Sequence, residues 1–148
     1  MVLGLERGQR VAVYLEKRFE TVIACFGAAA AGAVFVPVNP LLKPEQVAFI
    51  LRDCNVRVLV TSAQRKAALD EVLAQCPDLR HVVLVPSADS HEGRMTVQWP
   101  AMLAAPQQSG HRVIDTDMVA ILYTSGSTGM PKGVVLSHRN MVRSEEHT

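Results

Sequence analysis

The sequence has little net charge and few aromatic residues. Its formal net charge is +1, and aromatic side chains make up 5% of the chain. A balanced charge creates no field that would attract nucleic acid or an anionic membrane. No block rich in lysine or arginine with interleaved aromatic residues is present, so we expect no nucleic-acid partner.

Cysteine is also scarce, with three residues at Cys25, Cys54 and Cys76. An odd number at long, irregular spacing does not indicate a disulfide framework or a zinc site. Cys25 lies in an apolar run and is predicted to be a small buried side chain. The five histidines are scattered, and none has the spacing of metal ligands. These features favour the reducing cytoplasm as the location.

One uncharged run, residues 21–42, is long enough to cross a bilayer. It contains four consecutive alanines and is interrupted by Gly27 and Gly32, and Pro37 and Pro40 follow. We interpret it as a buried helix followed by a buried strand, not as a transmembrane segment. No basic start with an apolar core and a cleavage site occurs at Met1, so we expect no signal peptide.

Apolar strands and amphipathic helices alternate over the first part of the chain. Hydrophobic residues make up 49% and charged residues 20% of the 148 residues, as in one globular domain or part of one. The predicted strands are Arg10–Leu15, Val34–Val38, Val56–Thr61 and His81–Val85, and the predicted helices are Glu20–Ala31, Pro44–Asp53 and Ala63–Gln75. This order predicts an α/β fold of layered β-α-β units, with a mostly parallel sheet covered on both faces.

The pattern is weaker between residues 86 and 117. Polar residues predict a loop over 87–93, residues 99–103 favour a short helix, and residues 107–110 favour a surface connection. Residues 115–123 again have the composition of a strand. This strand leads into the segment Tyr123–Gly133, which contains the candidate binding residues.

The segment Tyr123–Gly133 reads Tyr-Thr-Ser-Gly-Ser-Thr-Gly-Met-Pro-Lys-Gly. Glycines allow close backbone approach, and successive backbone N–H groups form an anion-binding nest. Hydroxyl groups add neutral donors, and Lys132 adds a mobile positive charge. The lysine is followed by Gly133 and not by serine or threonine, so the segment is not a Walker A motif. The alternative interpretation is a solvated turn between two strands.

The whole segment resembles the phosphate-binding loop of the adenylate-forming superfamily, which includes acyl-CoA synthetases, the adenylation domains of nonribosomal peptide synthesis and luciferases. The following residues 134–140 resemble the same family, as do the upstream segments 8–13, 31–40 and 58–61. Family members often have aspartate where this chain has Gln9. The overall likeness is to the N-terminal domain of a bacterial AMP-forming acyl-CoA ligase, with a fainter likeness to the ligases that accompany exosortase systems.

The resemblance implies a two-step reaction. A carboxylate attacks the α-phosphate of ATP to give an acyl-adenylate and pyrophosphate, and the thiol of coenzyme A then displaces AMP. The residues that match the family's phosphate-binding loop are Thr124, Ser125, Gly126, Ser127, Thr128, Gly129 and Lys132. Lys132 is the candidate catalytic residue because its charge stabilises the leaving pyrophosphate. Thr124 matches a threonine that lies near Mg²⁺ in the family.

His138 and its neighbour Ser137 have two interpretations. The family's matching histidine lies close behind the loop, where it helps to shape the site. The local sequence instead predicts that Ser137 is a helix N-cap and that His138 is an early helical residue. We favour the structural interpretation.

Several parts of the family's machinery have no match in this sequence, including the Mg²⁺-binding glutamate, the ribose-binding aspartate and the C-terminal catalytic lysine. We therefore expect residues 1–142 to be a partial AMP-binding domain that is inactive by itself. The tail Arg143–Thr148 departs from the family pattern and matches one reading frame of a sequencing adapter, so we predict that it is not native.

Three alternatives stay open. The enzyme could load a carrier protein instead of coenzyme A. The chain could be a non-catalytic nucleotide- or partner-binding α/β module, or a reading frame without function. The identity of the carboxylic acid, the pathway and the oligomeric state are not encoded in recognisable motifs.

Overall fold

The computed structural model describes residues 5–85, 96–98, 117–125 and 131–141. The strands are β1 Arg10–Tyr14, β2 Val34–Pro37, β3 Val56–Ser62, β4 His81–Val85, β5 Thr96–Gln98, β6 Met118–Ser125 and β7 Pro131–Ser137. The helices are α1 Phe19–Ala30, α2 Pro44–Asp53 and α3 Ala63–Leu73, and residues 138–141 are also helical.

The described strands form one sheet in the order β5-β4-β3-β1-β2-β6-β7. Neighbouring strands from β5 to β6 are parallel, and β7 pairs with β6 in the antiparallel direction. The helices connect successive parallel strands, as β-α-β units require. The predicted α/β fold with a mostly parallel sheet is therefore confirmed.

Strands β1 to β4 are buried on both faces of the sheet and are apolar on both sides. Ala12 and Tyr14 of β1 belong to a core cluster that includes buried residues of α2 and α3. Val11 and Val13 belong to a second cluster, in which Ala28 of α1 takes part. Alternate residues of a strand face opposite sides, so α1 covers one face, and α2 and α3 cover the other.

Local signals explain where the helices begin and end. Pro44 is the first residue of α2, where its missing N–H costs no helical hydrogen bond. Asn55, just after this helix, has a φ of 54°, a left-handed conformation that asparagine tolerates better than most residues. The hydroxyl of Ser62 accepts a hydrogen bond of 3.3 Å from the backbone N–H of Arg65 and so caps α3.

The uncharged run at residues 21–42 folds as a helix and then a buried strand, as the sequence predicts, but the prediction of a buried helix is wrong, because Ala28 is the only buried residue of α1. Helix α1 ends at Ala30, Gly32 turns the chain with a φ of 80°, and β2 begins at Val34. Among the described residues, no helix has the length and apolar content needed to span a membrane.

The three cysteine thiols are free. Cys54 and Cys76 are buried, whereas Cys25 is half-buried and thus less enclosed than predicted. Burial raises the pKa of the Cys25 thiol to about 11, so this thiol is protonated near neutral pH.

The predicted elements up to Val85 are confirmed with boundaries within two residues, the largest difference being at α3, which ends at Leu73. Strand β5 at Thr96–Gln98 is not among the sequence predictions. The predicted loop at 87–93, the short helix at 99–103, the connection at 107–110 and the tail at 143–148 all lie outside the described residues.

Candidate functional site

The described residues of the segment Tyr123–Gly133, called the motif below, lie at the end of β6 and the start of β7, two strands that pair as a hairpin. Strand β6 carries Thr124 and Ser125 at its end, and β7 returns from Pro131. Thr124 is directly opposite Lys132, and Ser125 is opposite Pro131. The predicted residues Gly126, Ser127, Thr128 and Gly129 lie outside the described part of the chain.

The sheet topology places this end of the hairpin at a position suited to ligands. Strand β6 is parallel to β2, so Thr124 lies at the edge where the carboxyl ends of the parallel strands meet. In open α/β sheets, ligands bind at this edge. The buried residues Val119, Ala120 and Ile121 anchor β6 in the core, and the exposed Thr124 extends beyond them.

Thr124 and Lys132 form a cross-strand pair with complementary chemistry. Their Cα atoms are in register, and side chains at such positions have Cβ atoms about 5 Å apart on the same face of the sheet. Both residues are exposed. A hydroxyl group and an ammonium group at this separation can contact oxygens of the same phosphate chain.

A resident magnesium ion does not fit the described residues. No group of three or more His, Cys, Asp or Glu side chains among them could hold a metal ion. Mg²⁺ prefers carboxylates and phosphates and keeps several waters. Thr124 offers one neutral oxygen, so a Mg²⁺ ion here would be held mainly by the phosphates of a nucleotide.

His138 lies at the other end of the hairpin from the motif. Its predecessor Ser137 pairs with Met118, the first residue of β6, which is six residues before Thr124. At about 3.4 Å per residue, the two ends of the strand are about 20 Å apart. His138 therefore does not shape the site around Thr124.

The predicted cap at Ser137 is confirmed. The Ser137 hydroxyl accepts a hydrogen bond of 3.2 Å from the backbone N–H of Asn140, and the Asn140 side chain accepts one of 3.0 Å from the Ser137 N–H. This reciprocal pair is the capping-box arrangement, with asparagine in the place of glutamate. His138 is the first helical residue after it.

One contact of the motif has no counterpart in the sequence predictions. The Tyr123 hydroxyl donates a hydrogen bond of 2.6 Å to Oδ2 of Asp53, the last residue of α2. Asp53 has the pattern of a solvated helical residue, and 70 positions separate it from Tyr123. An acidic residue at a helix C-terminus opposes the helix dipole, and this is the signal that could have marked Asp53.

An ion cluster ties together other loops at the carboxyl edge. The Arg65 guanidinium is 3.2 Å from Glu16 after β1 and donates a 3.0 Å hydrogen bond to the carbonyl of Pro40 after β2. It also lies 5.1 Å from the centre of the Tyr14 ring. A backbone hydrogen bond and then the Arg65 side chain lower the pKa of Glu16. Because the Glu16 side chain is exposed and that of Arg65 is only partly buried, the ion pair contributes little energy.

The chain matches a family model described as "AMP-binding enzyme" over residues 1–147. Among curated proteins, it is 37% identical over 147 residues to crotonobetaine/carnitine–CoA ligase of Salmonella heidelberg strain SL476. The same ligase from Escherichia coli strain SE11 is 36% identical. In each case, the match covers 94% of this chain and 28% of the relative, so the chain spans just over a quarter of their length.

Solved structures agree with these matches. An anthranilate CoA ligase in complex with anthranoyl-AMP superposes with a TM-score of 0.89 at 27% identity, covering 98% of this chain and 28% of that protein. Acetoacetyl-CoA synthetase from Streptomyces lividans superposes with a TM-score of 0.80 at 26% identity, covering 93% and 23%. By sequence and by fold, the chain belongs to the AMP-binding family of adenylate-forming enzymes.

Proposed function

We propose that this chain is the phosphate-binding part of an AMP-forming acid–CoA ligase, called the intact ligase below. The observation that carries the proposal is the register of Thr124 with Lys132 at the carboxyl edge of the sheet, inside a family motif. The names of the relatives, which are ligases that join coenzyme A to carboxylic acids, support the same reaction class.

In this proposal the loop holds the leaving group of the first reaction step. One carboxylate oxygen attacks the α-phosphorus of ATP, the bond to the β-phosphate oxygen breaks, and pyrophosphate leaves. Lys132 stabilises the charge that develops on pyrophosphate. The loop residues Thr124, Ser125, Gly126, Ser127, Thr128 and Gly129 donate hydrogen bonds to the β- and γ-phosphates. In the second step, the thiol of coenzyme A attacks the acyl carbon and AMP leaves.

Magnesium takes part as a component of the substrate MgATP. We propose that the Thr124 hydroxyl contacts the ion while the phosphate oxygens and water supply most of its ligands. A cytoplasmic location is also part of the proposal, because the three thiols are free and coenzyme A chemistry suits a reducing compartment.

The test uses the intact ligase and the exchange of labelled pyrophosphate into ATP. Crotonobetaine, anthranilate, acetoacetate and a medium-chain fatty acid are supplied one at a time, without coenzyme A. We expect exchange that depends on one of these acids, and release of AMP when coenzyme A is added. Exchange without AMP release on adding coenzyme A would favour carrier-protein loading. Binding of MgATP without any exchange would favour a non-catalytic binding module.

A further inference from the structure

Tyr123 connects the phosphate-loop hairpin to a rigid part of the fold. It directly precedes Thr124, and its half-buried ring packs against the core cluster shared by α2 and α3. Its hydroxyl reaches Asp53 Oδ2 at 2.6 Å. The side chain of Tyr123 therefore attaches the end of β6 to the end of α2, one residue before Thr124.

The partner of Tyr123 is itself firmly placed. Helix α2 is anchored by Val47, Ile50 and Leu51, which are almost completely buried. Asp53 ends this helix, where a negative charge opposes the helix dipole unless a donor compensates it. Burial, and then the hydrogen bond to Asp53, raise the pKa of Tyr123, so its hydroxyl stays protonated as a donor.

Gly133 on β7 packs against the Tyr123 ring from the opposite strand of the hairpin. It pairs with Tyr123, and a Cβ atom at Gly133 would lie 3.1 Å from Cζ and 3.3 Å from the hydroxyl oxygen of Tyr123. The aromatic ring thus occupies the space that any larger residue would need. The next pair along the hairpin is Thr124 with Lys132, on the opposite face of the sheet.

We propose that Tyr123, held by Asp53 and packed on Gly133, is a positioning residue that fixes Thr124 and Lys132 for binding the ATP phosphates. This inference rests on the proposed function, because it assumes that the loop binds ATP. The tyrosine acts through the backbone of the hairpin and does not touch the phosphates itself. Sites that bind charged groups lose affinity when their donors are misplaced by a fraction of an ångström to about 1 Å.

The experiment measures the dissociation constant of MgATP by titration calorimetry on the intact ligase. Tyr123→Phe keeps the ring and removes the hydroxyl, and we expect about tenfold weaker binding, the order for loss of one charge-assisted contact. In a Lys132→Ala background, the same change should have a clearly smaller effect, because Lys132 is no longer there to be positioned and only Thr124 remains. A merely structural role would reduce affinity by the same factor in both backgrounds.

Two variants of Asp53 and one control distinguish a positioning role of Tyr123 from a general loss of stability. Asp53→Ala should weaken binding as Tyr123→Phe does, whereas Asp53→Asn keeps an acceptor oxygen and should restore most of the affinity. Asp78→Ala is the matched control, since this half-buried carboxylate accepts a side-chain hydrogen bond of 2.8 Å from Asn55 and pairs with Arg57, not with a residue of the hairpin. We expect it to leave MgATP affinity unchanged.

Each result has a distinct meaning. Unchanged affinity in Tyr123→Phe, or equal loss in the wild-type and Lys132→Ala backgrounds, overturns the positioning role while MgATP binding by the wild-type protein still supports the proposed function. A wild-type protein that binds no MgATP overturns the proposed function, and the inference with it.

Discussion

Two neighbouring residues of β7 illustrate how closely chemistry and packing are combined in the hairpin. Lys132 is exposed and opposite Thr124, whereas Gly133 lies against the ring of Tyr123. The first residue needs a long charged side chain, and the second must have no side chain. Gly133 therefore contributes by its lack of a Cβ atom, which allows the Tyr123 ring to pack closely. From the sequence motif alone, this glycine could equally have been needed for loop flexibility.

Replacing Gly133 with alanine should destabilise the hairpin. The new Cβ atom would lie 3.1 Å from Tyr123 and 3.2 Å from Cγ2 of Ile121. We expect a cost of about 1–3 kcal/mol in the free energy of unfolding, the usual range for overpacking. Urea unfolding of the intact ligase, followed by tryptophan fluorescence and circular dichroism, measures this change.

Gly27→Ala is a matched control for this prediction. Gly27 lies in α1, and a Cβ atom there would meet nothing within 4 Å. Alanine is favoured over glycine in helices by about 1 kcal/mol, so this variant should be as stable as the wild type or more stable. Equal stability of Gly133→Ala and Gly27→Ala would contradict the packing role of Gly133.

At the scale of secondary-structure elements, α3 is attached to the sheet by few contacts. Leu69 is fully buried, Ala63 is buried at its first turn, and Val72 and Leu73 are partly buried against the same cluster. The remaining side chains of the helix, such as Gln64 and Glu71, are exposed or only partly buried. Leu69 is therefore the main side chain that fixes α3.

We expect Leu69→Ala to lower the free energy of unfolding by about 2–5 kcal/mol, because it removes buried methyl groups and leaves a cavity. Urea unfolding of the intact ligase checks this value. Glu71→Ala, at an exposed position of the same helix, serves as the control and should change stability by less than about 0.5 kcal/mol. A loss in Leu69→Ala no larger than that of the control would show that other contacts hold α3.

Most elements were predictable because local signals agree with the core pattern. Strands such as Val34–Pro37 are continuous apolar runs, and Pro44 and Asn55 mark the start and the end of α2 by their own backbone preferences. Strand β5 was not predictable, because three residues, Thr-Val-Gln, have too short a pattern to distinguish from a loop.

The site was predictable in part, for a related reason. A strand before the motif and an apolar segment after it could be recognised locally, and the register of Thr124 with Lys132 follows once they pair. The contact between Tyr123 and Asp53 could not be predicted, because it depends on where β6 and α2 meet in three dimensions. For the motif residues 126–129, the predicted roles stay predictions.

At the scale of the whole molecule, one surface is more apolar than expected for an isolated domain. On α1, the side chain of Phe19 is 86% exposed and that of Phe26 is 67% exposed, with Val22 and Ile23 about half exposed between them. Val134 and Val135 of β7, the last strand in the described sheet, are also exposed. The four side chains of α1 have the spacing of one helix face and so form an apolar patch, and such patches are usually covered by protein.

We therefore expect the 148-residue chain to associate when it is produced by itself. Size-exclusion chromatography with light scattering measures the mass of the particles in solution. Replacing Phe19 and Phe26 together with glutamine should reduce association, because it divides the apolar surface of α1. A wild-type chain that is monomeric and melts cooperatively would contradict this expectation.

The central claim is that the β6–β7 hairpin holds the pyrophosphate leaving group during adenylation, and Lys132 offers its most direct test. The measurement is carboxylate-dependent exchange of pyrophosphate into ATP by the intact ligase and its Lys132→Ala variant. Lys66→Ala is the control, since this lysine pairs with Asp70 on α3. We predict at least about tenfold slower exchange for Lys132→Ala, on the order of 1.4 kcal/mol of lost transition-state stabilisation, with no change for the control. Equal exchange rates in all three proteins would contradict the account.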